Sequence, residues 1–562
     1  MPPGFADKIE MQDRLFAELS AMFGREVPLY DKAQAVNAVC NRAVCGLLSV
    51  RHPGFVVSDE EVERTGGERH GAIRIGRADE YRLVTRFFGC FGMEPHNFYD
   101  TTSIGAKSQP VIATAFRSPE KPEHRVFTSL LMTDYFDEST RARIEAVLAD
   151  RQVFSERAIE LVNKSESDGG LTWDDADELI GEATGRIFKW TGRARDHGLY
   201  TDLCQGGFKI AADIACFERH HLNHLTPNTL CMDVYTAAMK FCMGESDRAT
   251  FETRAARAFE GMLLMSGPDW LALHFKHLGA DRVRGVGDAD IDSGVLGSHI
   301  AALADRLGEA DLDLSELPHA GFKDFTEGPA ADTPVLLRQD AYRALTEPVV
   351  FVEADGSEVE GSHTARFGEI EQRFYATTPA GRAMYDRCLA AFEGARAEDP
   401  DLAKRDEKAF LQMHTDAFAS FPKTLGGLLA KGLVYAEYVP TKAGLAAAGS
   451  MTETDMQELV RQGCVSHEGL RYEDFLPVSA AGIFASNLNQ YGTASTAANK
   501  PEYSREQLEM IMDKRVIDTD AAYAAADARS RLDVYEALGL TGRLDEAERQ
   551  RLERAAGADR VV

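Results

Sequence analysis

Three short segments carry the side chains that could hold a catalytic metal. The segment around His70 reads ERHGAIRIG, the segment around His224 reads HHLNHLTP, and the segment around Glu369 reads TARFGEIEQR. Two neutral imidazoles and one ionised carboxylate, delivered by three strands, would form a facial triad for iron(II) and leave adjacent positions open for a chelating substrate and O2. The alternative for each single histidine is a hydrogen-bonded core or surface residue, because spacing alone does not establish a ligand.

Arg74 could recognise a carboxylate beside such a site. Residues 70, 72 and 74 of a strand point to one face, so Arg74 would share a face with His70, about 13 Å along the strand. A guanidinium pairs with a carboxylate through two parallel hydrogen bonds, which suits the far end of a diacid whose near end lies on the metal. The alternative is a structural ion pair with one of the 90 acidic residues.

The residues leave the exact ligands open within two of these segments. His220, His221 and His224 all lie in the second segment, and His221 should face the opposite side of a strand from His220. Glu369 and Glu371 are two residues apart and therefore share one strand face, so periodicity does not separate them.

The overall charge limits the classes of partner. The 562 residues carry a formal net charge of -28, which opposes binding to nucleic acid or to an anionic membrane. A site for an acidic substrate must therefore supply its own local positive charge, which makes single arginines informative. We expect small-molecule partners, no nucleic acid and no membrane, and the oligomeric state stays open.

Cysteine usage and the first residues indicate the compartment. Nine cysteines occur without a CxxC pair, so neither a disulfide framework nor a zinc ribbon is indicated. The chain starts with MPPGFADKIEMQDRLF, where charges interrupt any apolar run of the signal-peptide type, and no 18-residue apolar stretch follows. We therefore expect a cytoplasmic protein.

The elements that must position these side chains are strands interspersed with helices. Apolar spacing predicts helices over 5–23, 31–49 and 78–90, and over 138–190 with a break at residues 169–170. Alternation and β-branched residues predict strands at 70–75, 110–116, 125–132, 216–227, 335–339, 348–354 and 364–373. Because the strands do not follow a strict βαβ order, the predicted class is α+β.

The chain resembles a known family in four long motifs that occur in matching order. ERHGAIRIG, HHLNHLTP, TARFGEIEQR and YEDFLPVSAAGIF are similar to segments of the bacterial 2-oxoadipate dioxygenase/decarboxylase family, the D-2-hydroxyglutarate synthases. The resemblance runs from about residue 10 to about residue 530. It implies a vicinal oxygen chelate-like mixed β-sheet or partial barrel core, surrounded by helices.

The resemblance also implies roles for individual residues. His70, His224 and Glu369 match the iron(II) ligands, with Glu371 outside the metal's own ligand set and His221 as the alternative to His224. Arg74 matches the arginine that holds the substrate carboxylate.

The resemblance makes His70 and His224 substrate contacts as well. The main chain of Val478 and Ser479 matches the wall of the substrate pocket. Asn228 stands where the family pattern predicts arginine, so the chain length of the substrate stays open.

The motifs and the resemblance together divide the chain into regions. We predict an N-terminal helical segment (1–60), a first part of the metal-binding core (61–240) with a helical excursion (138–205), a helical insertion (241–330), a second part of the core (331–375), a mostly helical C-terminal part (376–530) with a substrate loop (475–484), and a charged helical tail (531–562). The role of the insertion stays open.

The implied activity is an iron(II)-dependent oxidation. A 2-oxo dicarboxylic acid, 2-oxoadipate in the family, would react with O2 to give CO2 and D-2-hydroxyglutarate, a step of lysine catabolism. Two alternatives stay open. One is a lyase or isomerase of the chelate superfamily that uses Zn, Ni or Mn, and the other is a non-catalytic protein that binds 2-oxo acids.

Overall fold

The computed structural model describes residues 4–67, 69–102, 108–476 and 501–557. Several of its helices begin at a side-chain cap: the side chain of Asp7 accepts hydrogen bonds from the backbone N–H groups of Ile9 and Glu10 and so starts the first helix. The helices are α1 (Lys8–Glu26), α2 (Pro28–Arg51), α3 (Asp59–Gly67), α4 (Ala78–Cys90), α5 (Glu138–Ala149), α6 (Glu156–Asp168), α7 (Trp173–Glu182), α8 (His197–Gln205), α9 (Lys209–Cys216), α10 (Met232–Cys242), α11 (Arg248–Met265), α12 (Pro268–His274), α13 (Ala280–Arg284), α14 (Ser293–Leu307), α15 (Pro379–Glu398), α16 (Leu402–Arg405), α17 (Glu407–Ala417), α18 (Leu425–Ala430), α19 (Lys442–Ala447), α20 (Met456–Arg461), α21 (Arg505–Met512), α22 (Thr519–Ala537) and α23 (Glu546–Gly557).

Short strands form several small sheets between these helices. The strands are β1 (Arg69–Ile75), β2 (Glu94–Asp100), β3 (Val111–Arg117), β4 (His124–Leu131), β5 (Arg193–Arg195), β6 (His224–Pro227), β7 (Leu337–Ala341), β8 (Thr346–Val352), β9 (Glu358–Thr364), β10 (Glu369–Arg373), β11 (Ala436–Pro440) and β12 (Val465–Gly469). The largest sheet has the order β2-β3-β4-β1-β6, and smaller sheets pair β10 with β7, β11 with β12, and β5 with β8 and β9.

The five-stranded sheet is mixed, and β1 lies inside it. Strand β1 pairs in parallel with β4 and antiparallel with β6. An isolated bridge between Asn228 and Glu371 connects the end of β6 to β10. The strands that carry the three predicted ligand positions are therefore consecutive neighbours in space.

The two faces of β1 have different surroundings. Ile73 and Ile75 are fully buried in the main hydrophobic core, which also contains the apolar faces of α1, α2 and α4. Because side chains alternate along a strand, His70, Ala72 and Arg74 point to the opposite face. Burial of the apolar face thus holds the polar face in one orientation.

The predicted α+β class with a mixed sheet core is confirmed. The helices over 5–23, 31–49 and 78–90 and the strand at 70–75 match α1, α2, α4 and β1 to within a few residues. The predicted strand over 216–227 was too long, because only His224–Pro227 forms a strand, while Cys216 ends α9 and Phe217 makes an isolated bridge to Ala194. Strands β2, β5, β9, β11 and β12 were not predicted; they are polar or very short and carry a weak alternating signal.

The predicted helical insertion, 241–330, contains α11 to α14, and its role as a separate unit stays a prediction.

All nine cysteines are free thiols. Among the described residues, none of the helices is long and apolar enough to cross a membrane.

Candidate metal and substrate site

Strands β1 and β6 bring two histidines to one face of the sheet. In their antiparallel register, Ala72 pairs with His224 and His70 pairs with Thr226. Gly71 permits this close approach, because a Cβ at that position would lie 2.9 Å from a methyl carbon of Leu225. His70 and His224 are buried, with 0% and 2% of their surface exposed, and their ring centroids are 5.6 Å apart.

Strand β10 brings Glu369 to the two imidazoles. Its Oε2 atom lies 3.2 Å from Nε2 of His70 and 3.6 Å from Nε2 of His224. One ligand atom from each of the three residues lies within 4.8 Å of the other two. The hydroxyl of Thr226 donates a hydrogen bond of 3.0 Å to the same Oε2 atom and holds the carboxylate in place. The structure therefore brings His70, His224 and Glu369 around one point.

Glu371 lies beside this group but has other partners. Arg373 donates to its two carboxylate oxygens at 2.7 and 2.8 Å, and Arg125 approaches Oε1 at 3.4 Å. Its Oε2 atom lies 2.9 Å from Nδ1 of His70, on the far side of the ring from Glu369. A carboxylate on the second ring nitrogen of a histidine is the usual outer partner of a metal ligand, since it orients the ring.

The pKa values of the group reflect burial and close charges. Burial lowers the pKa of His224 to about 4, and the charges of His70 and Arg74 add to this. Burial also acts to lower the pKa of His70, but Glu371 and Glu369 outweigh it and the pKa is raised. Burial acts to raise the pKa of Glu369, but His224 and His70 outweigh it and the pKa is lowered.

These protonation states suit a bound cation. The lowered pKa values favour the ionised carboxylate of Glu369 and the neutral imidazole of His224, which are the forms that bind a cation, whereas at His70 a cation would compete with a proton. Two buried polar atoms, Nδ1 of His224 and Oε1 of Glu369, have no hydrogen-bond partner among the described residues. Since such atoms are costly to leave unpaired, the donor set of two nitrogens and one carboxylate fits a divalent metal with open positions.

Aromatic rings form the walls around the three side chains. The ring of Phe475 packs edge-on against His70 at 4.9 Å, and Phe367 stacks on His224 at 4.9 Å. Phe127 of β4 packs against Phe475. These rings place apolar surface against both imidazoles and restrict their rotation.

Arg74 lies near this group and has one carboxylate partner. Its Nη1 atom donates a hydrogen bond to Oδ2 of Asp213 on α9. Arg74 is 7% exposed and Asp213 is 2% exposed, so the pair is buried. Nε and Nη2 of Arg74 have no acceptor within the described parts of the chain. One edge of the guanidinium is therefore held by the protein, and the other edge can meet a second carboxylate.

The other histidines of HHLNHLTP point away from the metal position. Nε2 of His221 lies 3.2 Å from Oδ1 of Asp213, and Nε2 of His220 lies 3.4 Å from Oε2 of Glu80. The structure thus brings His224, and neither His220 nor His221, to His70 and Glu369.

The remaining predicted residues have different outcomes. Asn228 is buried, its side chain donates to the backbone oxygen of Thr65, and its own backbone oxygen accepts from Asn37. It therefore has a structural role beside β10. Val478 and Ser479 lie outside the described residues, so their predicted contact with substrate stays a prediction.

Sequence reasoning did not find Asp213, Arg125 or Thr226. Arg125 and Thr226 pair with His70 across the two strand registers, and that relation needs the strand order. Asp213 lies on α9, 139 residues from Arg74, and no local pattern marks it.

Comparisons with known proteins identify the family of the chain. The sequence profile of the 2-oxoadipate dioxygenase/decarboxylase family matches residues 15–266 and 294–487. The Pseudomonas putida 2-oxoadipate dioxygenase/decarboxylase is 32% identical over 548 residues, which cover 95% of this chain and 98% of the relative. The Escherichia coli protein of the same name is 31% identical over 531 residues, 93% of this chain and 97% of that relative.

Solved structures match over the same length. The P. putida hydroxyglutarate synthase in complex with 2-oxoadipate has a TM-score of 0.67 and 32% identity, covering 96% of this chain and all of that chain. The match of sequence profile, relatives and structure spans every strand that positions His70, His224 and Glu369. The chain therefore belongs to the 2-oxoadipate dioxygenase/decarboxylase family.

Proposed function

We propose that this protein is a non-haem iron(II) enzyme that converts 2-oxoadipate and O2 into D-2-hydroxyglutarate, the R enantiomer, and CO2. The observation that carries the proposal is the buried meeting of His70, His224 and Glu369 within 4.8 Å, in a chain of this family. Iron(II) held by these three residues would supply the chelation of the 2-oxo acid and the activation of O2.

The reaction balances without a further reductant. The bond between C1 and C2 of 2-oxoadipate breaks and C1 leaves as CO2. One oxygen atom of O2 enters the new carboxylate of the five-carbon product, and the other enters the hydroxyl group on the carbon beside it. The substrate itself is the electron donor, so neither a nicotinamide nor a separate 2-oxoglutarate is required.

The protein's own residues would bind and orient the diacid. Arg74 presents a free guanidinium edge for the distal carboxylate, which is the complementary group that an acidic protein must supply locally. Phe475 and Phe367 surround the imidazoles with apolar surface and keep water away from the reacting carbons. A substrate held at both ends exposes one hydrogen of the carbon to be hydroxylated, so a single enantiomer is expected.

We propose that the enzyme acts in the cytoplasm and takes part in lysine catabolism. Nine free cysteines, seven of them buried, fit a reducing compartment. The lysine assignment is supported by the family resemblance alone.

One experiment tests the activity. Protein loaded with iron(II) without oxygen is mixed with 2-oxoadipate and then with air, while O2 uptake, CO2 release and product chirality are measured. We expect one O2 consumed and one CO2 released for each D-2-hydroxyglutarate. Turnover with Zn or Ni and no O2 uptake would support the lyase or isomerase, and binding without product would support a binding protein.

A matched pair of variants tests the metal. His224→Ala should abolish iron retention, measured as iron per chain after dialysis. His220→Ala removes another buried imidazole of the same segment, which lies against Glu80, and should retain iron. Equal retention by both variants would contradict the proposed ligand set.

A further inference from the structure

A buried polar network lies behind Arg74 and has no part in holding the metal. Its centre is Asp213 on α9, whose side chain is 1% exposed. Oδ2 of Asp213 accepts from Nη1 of Arg74, and Oδ1 lies 3.2 Å from Nε2 of His221 and 3.2 Å from Nε2 of His363. Three side chains from three separate segments therefore converge on one carboxylate.

The outer nitrogen of His363 faces Tyr200, whose hydroxyl group also lies 3.3 Å from the backbone oxygen of Ser362. The hydroxyl group of Tyr200 lies 2.9 Å from Nδ1 of His363. When this hydroxyl donates to Nδ1, the proton of a neutral ring is on Nε2, which faces Asp213. That arrangement places an N–H group against the carboxylate, whereas the other tautomer would place two lone pairs together.

Aromatic packing keeps both imidazoles of the network in place. Trp190 packs edge-on against His221 with ring centroids 4.7 Å apart, and Phe217 packs against His363 at 4.6 Å. Both histidines are buried, as are Phe217 and Asp213. The carboxylate therefore has little freedom to move, and neither has a group that is bound to it.

The consequence for Arg74 is geometric. A guanidinium is planar, so fixing Nη1 against a rigid carboxylate also fixes the direction of Nε and Nη2. These two nitrogens have no acceptor in the parts of the chain that the structure describes. The position of Asp213 thus determines where a substrate carboxylate can bind, and with it the distance from that carboxylate to the metal position.

We propose that Asp213, held by His221 and His363, positions Arg74 and thereby sets the length of the 2-oxo diacid that the enzyme accepts. This rests on the proposed function, because it takes Arg74 as the group that binds the distal carboxylate. Asp213 is a positioning residue: it acts on the substrate through Arg74 and does not contact the reacting carbons.

The test compares three 2-oxo diacids that differ by one carbon, 2-oxoglutarate, 2-oxoadipate and 2-oxopimelate, with the monoacid 2-oxohexanoate. For Asp213→Asn we expect kcat/KM for 2-oxoadipate to fall at least tenfold, and the preference among the three diacids to shrink at least fivefold. The value for 2-oxohexanoate should change less than threefold, because this substrate has no carboxylate for Arg74. Asp213→Glu should restore a preference among the diacids that differs from that of the wild type, since the longer side chain still pairs with the guanidinium but displaces it.

The chain offers a matched control in a second buried network. Arg151 donates to Glu80 at 3.1 and 2.6 Å, and His220 lies 3.4 Å from the same carboxylate. Glu80→Gln removes the same kind of charge without touching Arg74. It should lower Tm and leave the order of the diacids unchanged.

Anaerobic calorimetry separates this proposal from the proposed function. The wild type could bind 2-oxoadipate at least tenfold more tightly than 2-oxohexanoate and yet turn over no 2-oxo acid. In that case the proposed oxidative activity is wrong. Loss of that difference in Asp213→Asn would then still support the positioning role. If Asp213→Asn keeps the wild-type preference within twofold, in turnover and in binding, the positioning role is wrong. Equal losses of kcat/KM on all four acids would also overturn the proposal, since they would show that the carboxylate of Asp213 has a purely structural role.

Discussion

Oε2 of Glu371 lies 2.9 Å from Nδ1 of His70, while Oε2 of Glu369 lies 3.2 Å from Nε2 of the same ring. The two glutamates thus hold opposite sides of one imidazole. Arg373 and Arg125 surround Glu371 and hold its pKa below the ordinary value against the effect of burial, which acts to raise it. A carboxylate that is already paired with two arginines has less to offer a metal than Glu369, whose Oε1 atom has no partner among the described residues.

This difference predicts distinct effects for the two glutamates. Glu369→Ala should abolish iron retention, whereas Glu371→Gln should weaken it about 10- to 100-fold, because an outer partner orients a ligand without being one. Iron affinity, measured by competition with a chelator of known strength, checks this. If Glu371→Ala loses the metal and Glu369→Ala retains it, the assignment of the third ligand is wrong.

Removal of Arg74 should separate diacids from monoacids. Arg74→Ala should cost about 3–5 kcal/mol of transition-state binding for 2-oxoadipate, as the loss of one partner of a buried pair does. A 2-oxo monoacid should be a poor substrate for the parent enzyme and no worse for the variant. Steady-state kinetics on both substrates measures this. Arg151→Ala, which removes a buried arginine whose carboxylate partner is Glu80, serves as the control for general loss of stability, and equal losses on both substrates would make Arg74 structural.

Gly368 should not tolerate a side chain. Gly368 directly precedes Glu369 in the sequence. A Cβ at Gly368 would lie 2.4 Å from a ring carbon of the buried Tyr342. Gly368→Ala should therefore destabilise the protein by about 1–3 kcal/mol, as overpacking does, and should weaken iron binding by displacing β10. Chemical denaturation and metal titration measure the two effects. Gly181→Ala in α7 meets nothing within 4 Å and should be neutral or stabilising by about 0.5–1 kcal/mol.

His414 should contribute to the loss of folding stability at acidic pH. Burial lowers its pKa in the folded protein to about 4, below an ordinary value of about 6.5. Between these two values the unfolded chain binds a proton that the folded chain does not, so stability falls as pH decreases from about 6.5 to about 4. His414→Phe, which keeps the stacking on Phe392, should reduce the slope of unfolding free energy in this window by up to about 1.4 kcal/mol per pH unit. An unchanged slope would show that His414 does not titrate there.

Residue types and alternation marked the segments that carry the candidate site, and the family resemblance selected the individual residues within them. His70, His224 and Glu369 lie in apolar segments at strand spacing, and the shared face of residues 70 and 74 is a property of any strand. The helices over 5–23 and 78–90 were equally readable, because their buried faces repeat at helical spacing. The strands β5, β11 and β12 were not, since β5 has only three residues and β11 and β12 contain few apolar residues.

The sequence alone determined which side chains could form the metal group and in which order they occur, because alternation along a strand is a local property. Only the tertiary structure distinguishes the surroundings of Glu369 from those of Glu371, since both share one face and differ in their distant partners, Arg125 among them. It also decided that Asp213 is the partner of Arg74, across 139 positions of sequence. Partners of a buried charge are selected by the packing of whole elements, and no local pattern records that packing.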